Sequence, residues 1–432
     1  MALRTLSFSN QLELSGGTRR HAVRISAVWL VCFVSFTMLL LISWSASRPG
    51  SSTTTIIVLL FLAPWGWIVV RRPSTALQDI LHNWLLVALP LLSMTSALWS
   101  DYPAVSLKGG VQYLVTTFVG IWAGCRIEPR ILMSALLSAL ALLAVLSILD
   151  GSHDFNPDTG EYTLIGVFGS KNYFALCISL LLLTAASVAL DRSQAFTFRV
   201  FGIASFCLAA PLLVYARSVG ALVVSISALA ISMTLRIMFR FTVMSRSVVV
   251  ILMLLFLALV VTAATMEISY VDVLGYFGKN TSLTGRTLLW EYAAAAIADK
   301  PILGGGYEAF WQIGNSSAEQ LWFYSYIPSK YGYHFHNTFL EVTVDLGFVG
   351  LAAFVLLLIL IIVRTSAMIV GRVPSSERIY AMTIFVFLLL RMPLEVDLFF
   401  QFQLASILIC VIWIYLQRSS PSRGELPPPS RS

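Results

Sequence analysis

Two closely spaced histidines in the last third of the chain are the first residues that could do chemistry. His334 and His336 lie in the segment Tyr-His-Phe-His-Asn-Thr-Phe-Leu-Glu, which runs directly into an apolar stretch. Imidazole is the side chain best suited to proton transfer near neutral pH. The i, i+2 spacing also suggests a metal, but no cysteine or close third ligand accompanies the pair. A proton-transfer role, an interfacial histidine without chemistry and a zinc site therefore remain as alternatives, of which zinc has the weakest support.

Two arginines at the edges of apolar stretches are candidates for binding an anion. Arg286 ends the motif Leu-Thr-Gly-Arg and precedes an alanine-rich stretch, 287–300, that predicts a helix stopped by Pro301. A cation in a first helical turn opposes the helix dipole, which favours a bound anion there over a solvated surface arginine. Arg217 lies in a very short turn, Tyr-Ala-Arg-Ser-Val-Gly, between two apolar stretches. An ionisable group near membrane depth is a functional candidate, and snorkelling to lipid headgroups is its alternative.

A third charged group follows an apolar stretch near the C-terminal end. Arg391, Glu395 and Asp397 fall within seven positions of one another. The two carboxylates could hold a divalent ion, but the i, i+4 spacing favours an ion pair between Arg391 and Glu395. We therefore predict that pair, and no metal site.

The composition indicates how these residues must be positioned. Of 432 residues, 58% are apolar and 11% are charged, too few charges to cover two or three soluble domains. The chain is therefore predicted to cross a membrane many times. Twelve stretches are long and apolar enough to be transmembrane helices. They are 25–45, 53–70, 80–99, 109–125, 131–149, 172–190, 200–216, 219–235, 247–265, 338–363, 379–394 and 399–416.

The distribution of charge predicts the orientation of these helices. With the N-terminus in the cytoplasm, 19 of the 28 basic residues fall on inner segments, as topology rules favour. The inner face then carries +13 (19 − 6 acids) and the outer face −6 (9 − 15 acids), which together give the net +7. Both termini are expected in the cytoplasm. The basic excess is spread over seven segments and is not clustered with aromatics, which argues against a nucleic-acid partner.

One predicted outer loop is unusually long. Residues 266–337 separate the ninth and tenth predicted spans and contain fifteen aromatic side chains, whereas disordered segments are poor in aromatics. We expect this loop to fold into short helices against the membrane surface. The predicted organisation is a cytoplasmic segment at 1–24, a transmembrane domain at 25–416 that includes this loop, and a disordered cytoplasmic tail at 417–432.

Arginines and a histidine at the outer ends of an apolar bundle suit one kind of chemistry. A sugar linked to a lipid through a diphosphate has an anionic leaving group, which guanidinium groups bind bidentately. Such a leaving group needs no general acid, whereas a histidine can remove the proton of the acceptor hydroxyl. Aromatic side chains would stack on sugar faces. The donor carries the energy, so we expect no nucleotide site and no cofactor, in line with the lack of a P-loop or Rossmann motif.

Five segments together resemble the O-antigen ligase and polysaccharide polymerase superfamily of bacterial inner membranes. They are Gly-Val-Phe-Gly-Ser-Lys-Asn-Tyr-Phe-Ala (166–175), Ala-Arg-Ser-Val-Gly-Ala (216–221), Leu-Thr-Gly-Arg-Thr-Leu-Leu-Trp (283–290), Lys-Pro-Ile-Leu-Gly-Gly-Gly-Tyr-Glu-Ala-Phe-Trp (300–311) and His-Asn-Thr-Phe-Leu-Glu-Val-Thr-Val-Asp-Leu-Gly-Phe-Val-Gly-Leu (336–351). The resemblance covers about 99–416 and is greatest to the exopolysaccharide-production branch, whose members are repeat-unit polymerases. It implies an all-α polytopic fold, a GT-C-type bundle of about twelve helices with a long periplasmic loop between helices 9 and 10.

The resemblance also implies the activity and the site. The expected reaction is a metal-independent, inverting transfer of glycan from undecaprenyl diphosphate to a sugar hydroxyl at the periplasmic face. The family's arginines, which bind the diphosphate, fall on Arg217 and Arg286, and its histidine, which activates the acceptor, falls on His336. Many members have Ser before the first arginine, where this chain has Ala216. Further candidate substrate contacts are Lys171, Asn172, Tyr307, Trp311, His334 and Arg391.

The expected partners and the alternatives follow from this assignment. The expected partners are the undecaprenyl-diphosphate-linked donor, a glycan or lipid-linked glycan acceptor, the bilayer, and flippase and chain-length regulator proteins.

Polymerisation of repeat units is the preferred activity, with ligation of finished glycan to lipid A–core or another acceptor as its alternative. A transporter or flippase for lipid-linked sugars is less favoured, because it predicts ionisable residues near the midplane of several helices and a visible repeat. A structural scaffold would not explain an ordered aromatic loop.

Overall fold

The protein is an all-α membrane protein to which one short β-hairpin is added. A computed structural model describes residues 26–46, 53–156, 161–238, 242–252, 286–327, 329–330, 332–370 and 375–417, together with Leu255. The predictions for 1–24, for most of the ninth span, for 266–285 and for the tail after 417 lie outside the described residues.

Fifteen helices are described. They are α1 Ala27–Ala46, α2 Thr53–Arg71, α3 Pro73–His82, α4 Trp84–Thr95, α5 Pro103–Arg126, α6 Pro129–Asp150, α7 Lys171–Leu190, α8 Phe196–Tyr215, α9 Val219–Met238, α10 Val243–Leu252, α11 Arg286–Asp299, α12 Ser316–Tyr324, α13 Thr338–Val370, α14 Ser376–Arg391 and α15 Leu404–Gln417. Strands β1 His153–Asn156 and β2 Glu161–Leu164 pair antiparallel between α6 and α7, with His153 opposite Leu164.

Six of the described helices are long and apolar enough to cross a membrane. They are α2, α6, α7, α8, α9 and α13, and a bent pair of helices would make a seventh span. That pair, Pro73–His82 and Trp84–Leu98, overlaps the third predicted span, 80–99, but it begins seven residues earlier and is bent. Helix α3 begins at Pro73, the chain breaks at Asn83, and a second helix resumes at a bend of 90°.

Helix α7 lies at the centre of the bundle. Most of its side chains are buried, and it packs against α6, α8, α9 and α14. Small residues allow other helices to approach closely. A Cβ added at Gly120 of α5 would lie 2.8 Å from Cβ of Cys410 on α15, so glycine permits this contact. Helices in membranes associate by close packing through small residues, because burial of apolar surface from water contributes little free energy to their association there.

The described residues between 286 and 335 form a second, smaller hydrophobic core together with part of α13. Aromatic and aliphatic side chains from α11, α12 and the segments around them build it: Leu289, Ala293, Phe310, Ala318, Leu321, Trp322, Phe335 and, from α13, Val344. The aromatic content of the predicted loop therefore reflects a folded unit. The indole of Trp290 donates a 3.0 Å hydrogen bond to the carbonyl of Phe335, which links α11 to the segment before α13.

Buried carboxylates of α13 hold this unit against the bundle. Glu341 accepts hydrogen bonds from Nε1 of Trp311 at 3.0 Å and from the backbone N–H of Phe335 at 2.8 Å. One turn later, Asp345 accepts from the backbone N–H of Glu308 at 2.9 Å. These bonds fix the chain immediately before α13, the segment that carries the two histidines.

A glycine turn completes the attachment. The N–H groups of Gly305 and Gly306 donate to carbonyls of α13 at 2.9 Å, close to a kink at Gly347. Gly347 has φ +65°, and a Cβ there would lie 2.2 Å from the carbonyl oxygen of Ile302. Only glycine combines this backbone conformation with so close an approach. The Gly-Gly-Gly segment is thus a tight structural turn.

Candidate functional site

A buried carboxylate, Glu395, brings the predicted residues together. Its side chain follows the end of α14 and is only 6% exposed. Nη2 of Arg286 lies 3.0 Å from Oε1, and Nδ1 of His336 lies 3.0 Å from Oε2. Nε2 of His334 is 3.9 Å from the same Oε2. Three residues predicted from the sequence, which come from two separate segments, therefore surround one acid. The sequence analysis had paired that acid with Arg391.

Local structure explains why these segments meet. The side chain of Asn337 accepts hydrogen bonds from the N–H groups of Phe339 and Leu340, which caps the start of α13. The next residue, Thr338, donates through its N–H to Met392 and through its hydroxyl to the carbonyl of Glu395. The cap residues thus tie the histidine segment to the chain that follows α14.

The backbone is unusual at two of the predicted catalytic positions. His336 has φ +52° and Arg217 has φ +50°, in the left-handed region that non-glycine residues rarely adopt. Such strain persists only where surrounding contacts enforce it, and it concentrates at functional sites. At His336, the strain is accompanied by a hydrogen bond from its N–H to Nδ1 of His334 at 3.1 Å.

The electrostatics of the cluster assign a charge to its central acid. Burial alone would raise the pKa of Glu395, but the neighbouring His336, His334 and Arg391 lower it to about 2. The carboxylate is therefore ionised near neutral pH and accepts hydrogen bonds from its partners.

The same environment fixes the state of His334. Burial, together with the nearby His336, lowers the pKa of His334 to about 3, so its imidazole is neutral near pH 7. Because Nδ1 of His334 accepts a backbone hydrogen bond, its proton resides on Nε2. Nδ1 of His336 faces the ionised carboxylate and therefore carries a proton, which leaves Nε2 of His336 as the basic nitrogen.

The predicted ion pair between Arg391 and Glu395 was wrong. Helix α14 ends at Arg391, so Glu395 lies beyond the helix, where the i, i+4 rule does not apply. Arg391, only 2% exposed, instead donates through Nε to Oδ2 of Asp397 and through Nη2 to the carbonyl of Asn172 at 3.0 Å. This buried pair joins the end of α14 to the start of α7.

The histidine pair has the third potential ligand that the sequence did not provide locally. Donor atoms of His334, His336 and Glu395 all lie within 4.8 Å of one another, close enough to surround a metal ion. Arg286, however, lies 3.0 Å from the same carboxylate and would repel a cation held there. The arrangement favours an ion-pair and proton-transfer site over a metal centre.

Arg217 lies in a neighbouring turn. It follows α8 and is exposed, with its N–H donating to the carbonyl of Val214. Helix α9 begins two residues later, and a Cβ on Gly220 would be 3.3 Å from the side chain of Leu394, the residue before Glu395. The turn that holds Arg217 therefore adjoins the segment that carries Glu395.

The other candidate substrate contacts occupy different environments. Lys171 and Asn172 begin α7, where both are partly exposed. Tyr307 is fully buried: it stacks on Tyr113 and donates its hydroxyl hydrogen bond to the carbonyl of Phe399 at 2.7 Å, a packing role. Trp311 is partly buried in the aromatic core.

Sequence reasoning missed the part played by Glu395. The signal available was an acid just beyond an apolar helix in a chain with few charges, and a local pairing rule assigned it to Arg391. The true partners lie 59 and 109 positions away, a separation that no spacing pattern reports.

Comparisons with known proteins match the part of the chain that carries these residues. Residues 203–355, which include Arg217, Arg286 and both histidines, match the family model described as O-antigen ligase. The chain is similar to the exopolysaccharide production protein ExoQ of Rhizobium meliloti, with 28% identity over 82% of this chain and 81% of that protein. It is also 33% identical to a putative polysaccharide ligase of Rickettsia typhi, over 19% of this chain and 20% of that protein. The chain is therefore a membrane protein of which residues 203–355 match the O-antigen ligase family and most of the length is similar to an exopolysaccharide production protein.

Proposed function

We propose that the protein is an inner-membrane glycosyltransferase that polymerises exopolysaccharide or O-antigen repeat units at the periplasmic face. The donor is glycan linked to undecaprenyl diphosphate, and the acceptor is a sugar hydroxyl on a second lipid-linked glycan. In this proposal the chain forms a GT-C-type bundle of twelve spans with both termini in the cytoplasm. The observation that carries the proposal is the convergence of His336 and Arg286 on Glu395, beside the turn of Arg217.

The proposed reaction uses these groups in one displacement. Nε2 of His336 takes the proton of the acceptor hydroxyl, whose oxygen attacks the anomeric carbon of the donor. The bond from that carbon to the diphosphate oxygen breaks, and its electron pair leaves with the diphosphate. Arg217 and Arg286 stabilise the negative charge of that leaving group. Attack opposite the leaving group inverts the anomeric configuration, and the reaction needs no metal.

The partly exposed guanidinium of Arg286 supports its assignment to the donor. Its side chain is 21% exposed although Nη2 is held by Glu395. A guanidinium has five N–H donors in a rigid fork, so an anchored arginine can still present others to a diphosphate. The sequence-based expectation that Arg286 lies in the first turn of its helix would add the helix N-terminus, which favours anions.

Ligation of finished glycan to lipid A–core or another acceptor is the second candidate. The family description and the putative ligase of Rickettsia typhi favour it, whereas the similarity to ExoQ over most of the chain favours an exopolysaccharide pathway. Both activities use the same donor and the same site residues.

Single alanine variants at Arg217, Arg286 and His336 test the proposal and separate the two activities. Membrane insertion is verified first, and lipid-linked and released glycans are then analysed in the producing strain. Accumulation of lipid-linked single repeats indicates a polymerase, and accumulation of long lipid-linked chains indicates a ligase. Normal product from all three variants would overturn the site assignment.

A further inference from the structure

Glu395 divides its two oxygens between groups with different proposed tasks. Oε1 pairs with Arg286, assigned to the donor diphosphate, and Oε2 pairs with His336, assigned to the acceptor hydroxyl. Both distances are 3.0 Å, and the carboxylate is nearly inaccessible to solvent. The carbonyl of Glu395 is also fixed, by the hydroxyl of Thr338 at 2.7 Å. The carboxylate is thus held in place from both its side chain and its backbone.

We propose that Glu395 is the positioning residue of the site: its carboxylate holds His336 with Nε2 free to accept a proton and aligns Arg286 beside it. This inference rests on the proposed function, in which His336 acts on the acceptor and Arg286 on the donor. Glu395 itself touches neither substrate in this scheme and acts through its two partners.

The charges facing the carboxylate support a role specific to His336 and Arg286. The other nearby cation, Arg391, has its own buried partner in Asp397, so Glu395 is not needed to neutralise it. His334 is neutral near pH 7, because its environment lowers its pKa to about 3. Among the described residues, Tyr333 also lies beside the cluster, with its ring edge-on at 5.7 Å from the ring of His336.

Proton transfer explains why an ionised group is useful at this position. When Nε2 of His336 accepts the proton of the acceptor hydroxyl, the imidazole gains a positive charge. An ionised carboxylate on Nδ1 stabilises that charge and also fixes the tautomer and the ring orientation. Burying a carboxylate costs free energy unless it is paired and hydrogen-bonded, and each oxygen of Glu395 has such a partner.

Charge removal at constant shape separates this role from a packing role. The test variant is Glu395→Gln, and the matched control is Glu291→Gln, a change of the same type at an exposed position of α11. Purified full-length protein in lipid vesicles is assayed with lipid-diphosphate-linked repeat units from about pH 5 to pH 9. We expect E395Q to lose about 100-fold in kcat at neutral pH and E291Q to match the wild type.

The shape of the pH profile is the deciding feature. Removing the charge beside the base should change how transfer depends on pH, so the E395Q profile should differ in shape from that of the wild type. A loss of activity that is equal at every pH would assign Glu395 a structural role only and overturn the inference. E395Q activity equal to that of E291Q would also overturn it.

A second measurement does not depend on transfer activity. The chain has five histidines, so ¹⁵N-histidine NMR of the protein in micelles is tractable, with His336→Gln identifying the signal of interest. The inference predicts a Nδ1-protonated, Nε2-bare ring for His336 in the wild type and loss of this preference in E395Q. The same tautomer in both proteins would contradict it.

These experiments distinguish failure of the inference from failure of the proposed function. Lack of lipid-diphosphate glycan transfer by the wild type, or unchanged transfer by His336→Ala, would reject the proposed function, while the NMR result still reports on the Glu395–His336 contact. Loss of transfer in His336→Ala combined with an unchanged E395Q rejects the positioning role alone.

Discussion

Loss of Asp397 should destabilise the protein by leaving Arg391 buried without a counter-charge. The two side chains form an ion pair in which Arg391 is 2% and Asp397 8% exposed, directly beside the candidate site. Removing one partner of a buried pair costs about 3–5 kcal/mol, because the remaining charge loses both its water and its partner. Arg391 keeps a bond to the carbonyl of Asn172, so we expect Asp397→Ala to fall at the lower end of this range.

That free energy converts into a measurable shift in melting temperature. With an unfolding entropy of about 2 cal/mol/K per residue over the 432 residues, a loss at this lower end, about 3 kcal/mol, lowers Tm by about 3 °C. Thermal unfolding in detergent, followed by intrinsic tryptophan fluorescence, measures the shift. The matched control is Lys300→Ala, which breaks an exposed pair with Asp101 and should move Tm by less than about 1 °C.

A double variant identifies the cause. Arg391→Met combined with Asp397→Leu replaces the buried pair by apolar side chains and should recover most of the stability lost in Asp397→Ala. Equal Tm values for Asp397→Ala and Lys300→Ala would show that the buried pair stabilises the protein no more than the exposed one. A double variant less stable than the single one would show that the cost does not come from an uncompensated charge.

Three further predictions follow from individual residues. Gly347→Ala should destabilise the protein by more than about 1 kcal/mol, because φ is +65° and a Cβ would meet the carbonyl of Ile302; equal Tm to wild type would contradict this. His334 has a folded pKa lowered to about 3, so the unfolded chain binds the extra proton first and stability should fall as the pH drops from about 6.5 toward 3. His334→Gln should flatten that part of the stability–pH curve, and an unchanged slope would contradict the assignment. Arg217→Lys and Arg286→Lys should each raise KM for the lipid-diphosphate donor by at least about tenfold, because lysine loses bidentate phosphate binding; wild-type KM values would argue against donor contacts.

The helices could be predicted from sequence because they depend on local composition. Apolar runs located α2, α6, α7, α8 and α13 to within a few residues at their starts, since about 20 such residues must be helical to cross a bilayer. The bend between α3 and α4 was not predicted, because an apolar run does not show where the backbone hydrogen bonds of a helix are interrupted.

The candidate site was predictable only in part. The chemistry of His336 and Arg286 identified them as candidates, but their shared partner Glu395 depends on how α11, α13 and α14 pack. The i, i+4 rule gave Arg391 the wrong partner, because the rule assumes that the helix continues to Glu395. The helix in fact ends at Arg391. The loop aromatics posed a similar difficulty: Tyr307 has the side chain of a sugar-stacking residue, and only the fold shows that it is fully buried.

In the proposed reaction, His336 activates the acceptor for attack on a lipid-diphosphate-linked glycan. The most direct measurement is single-turnover transfer by purified His336→Ala in vesicles, at saturating donor and with radiolabelled acceptor. Donor binding, measured separately, should stay within about threefold of wild type while the transfer rate falls by at least about 100-fold. A transfer rate within threefold of wild type, in protein of equal stability, would contradict this role of His336.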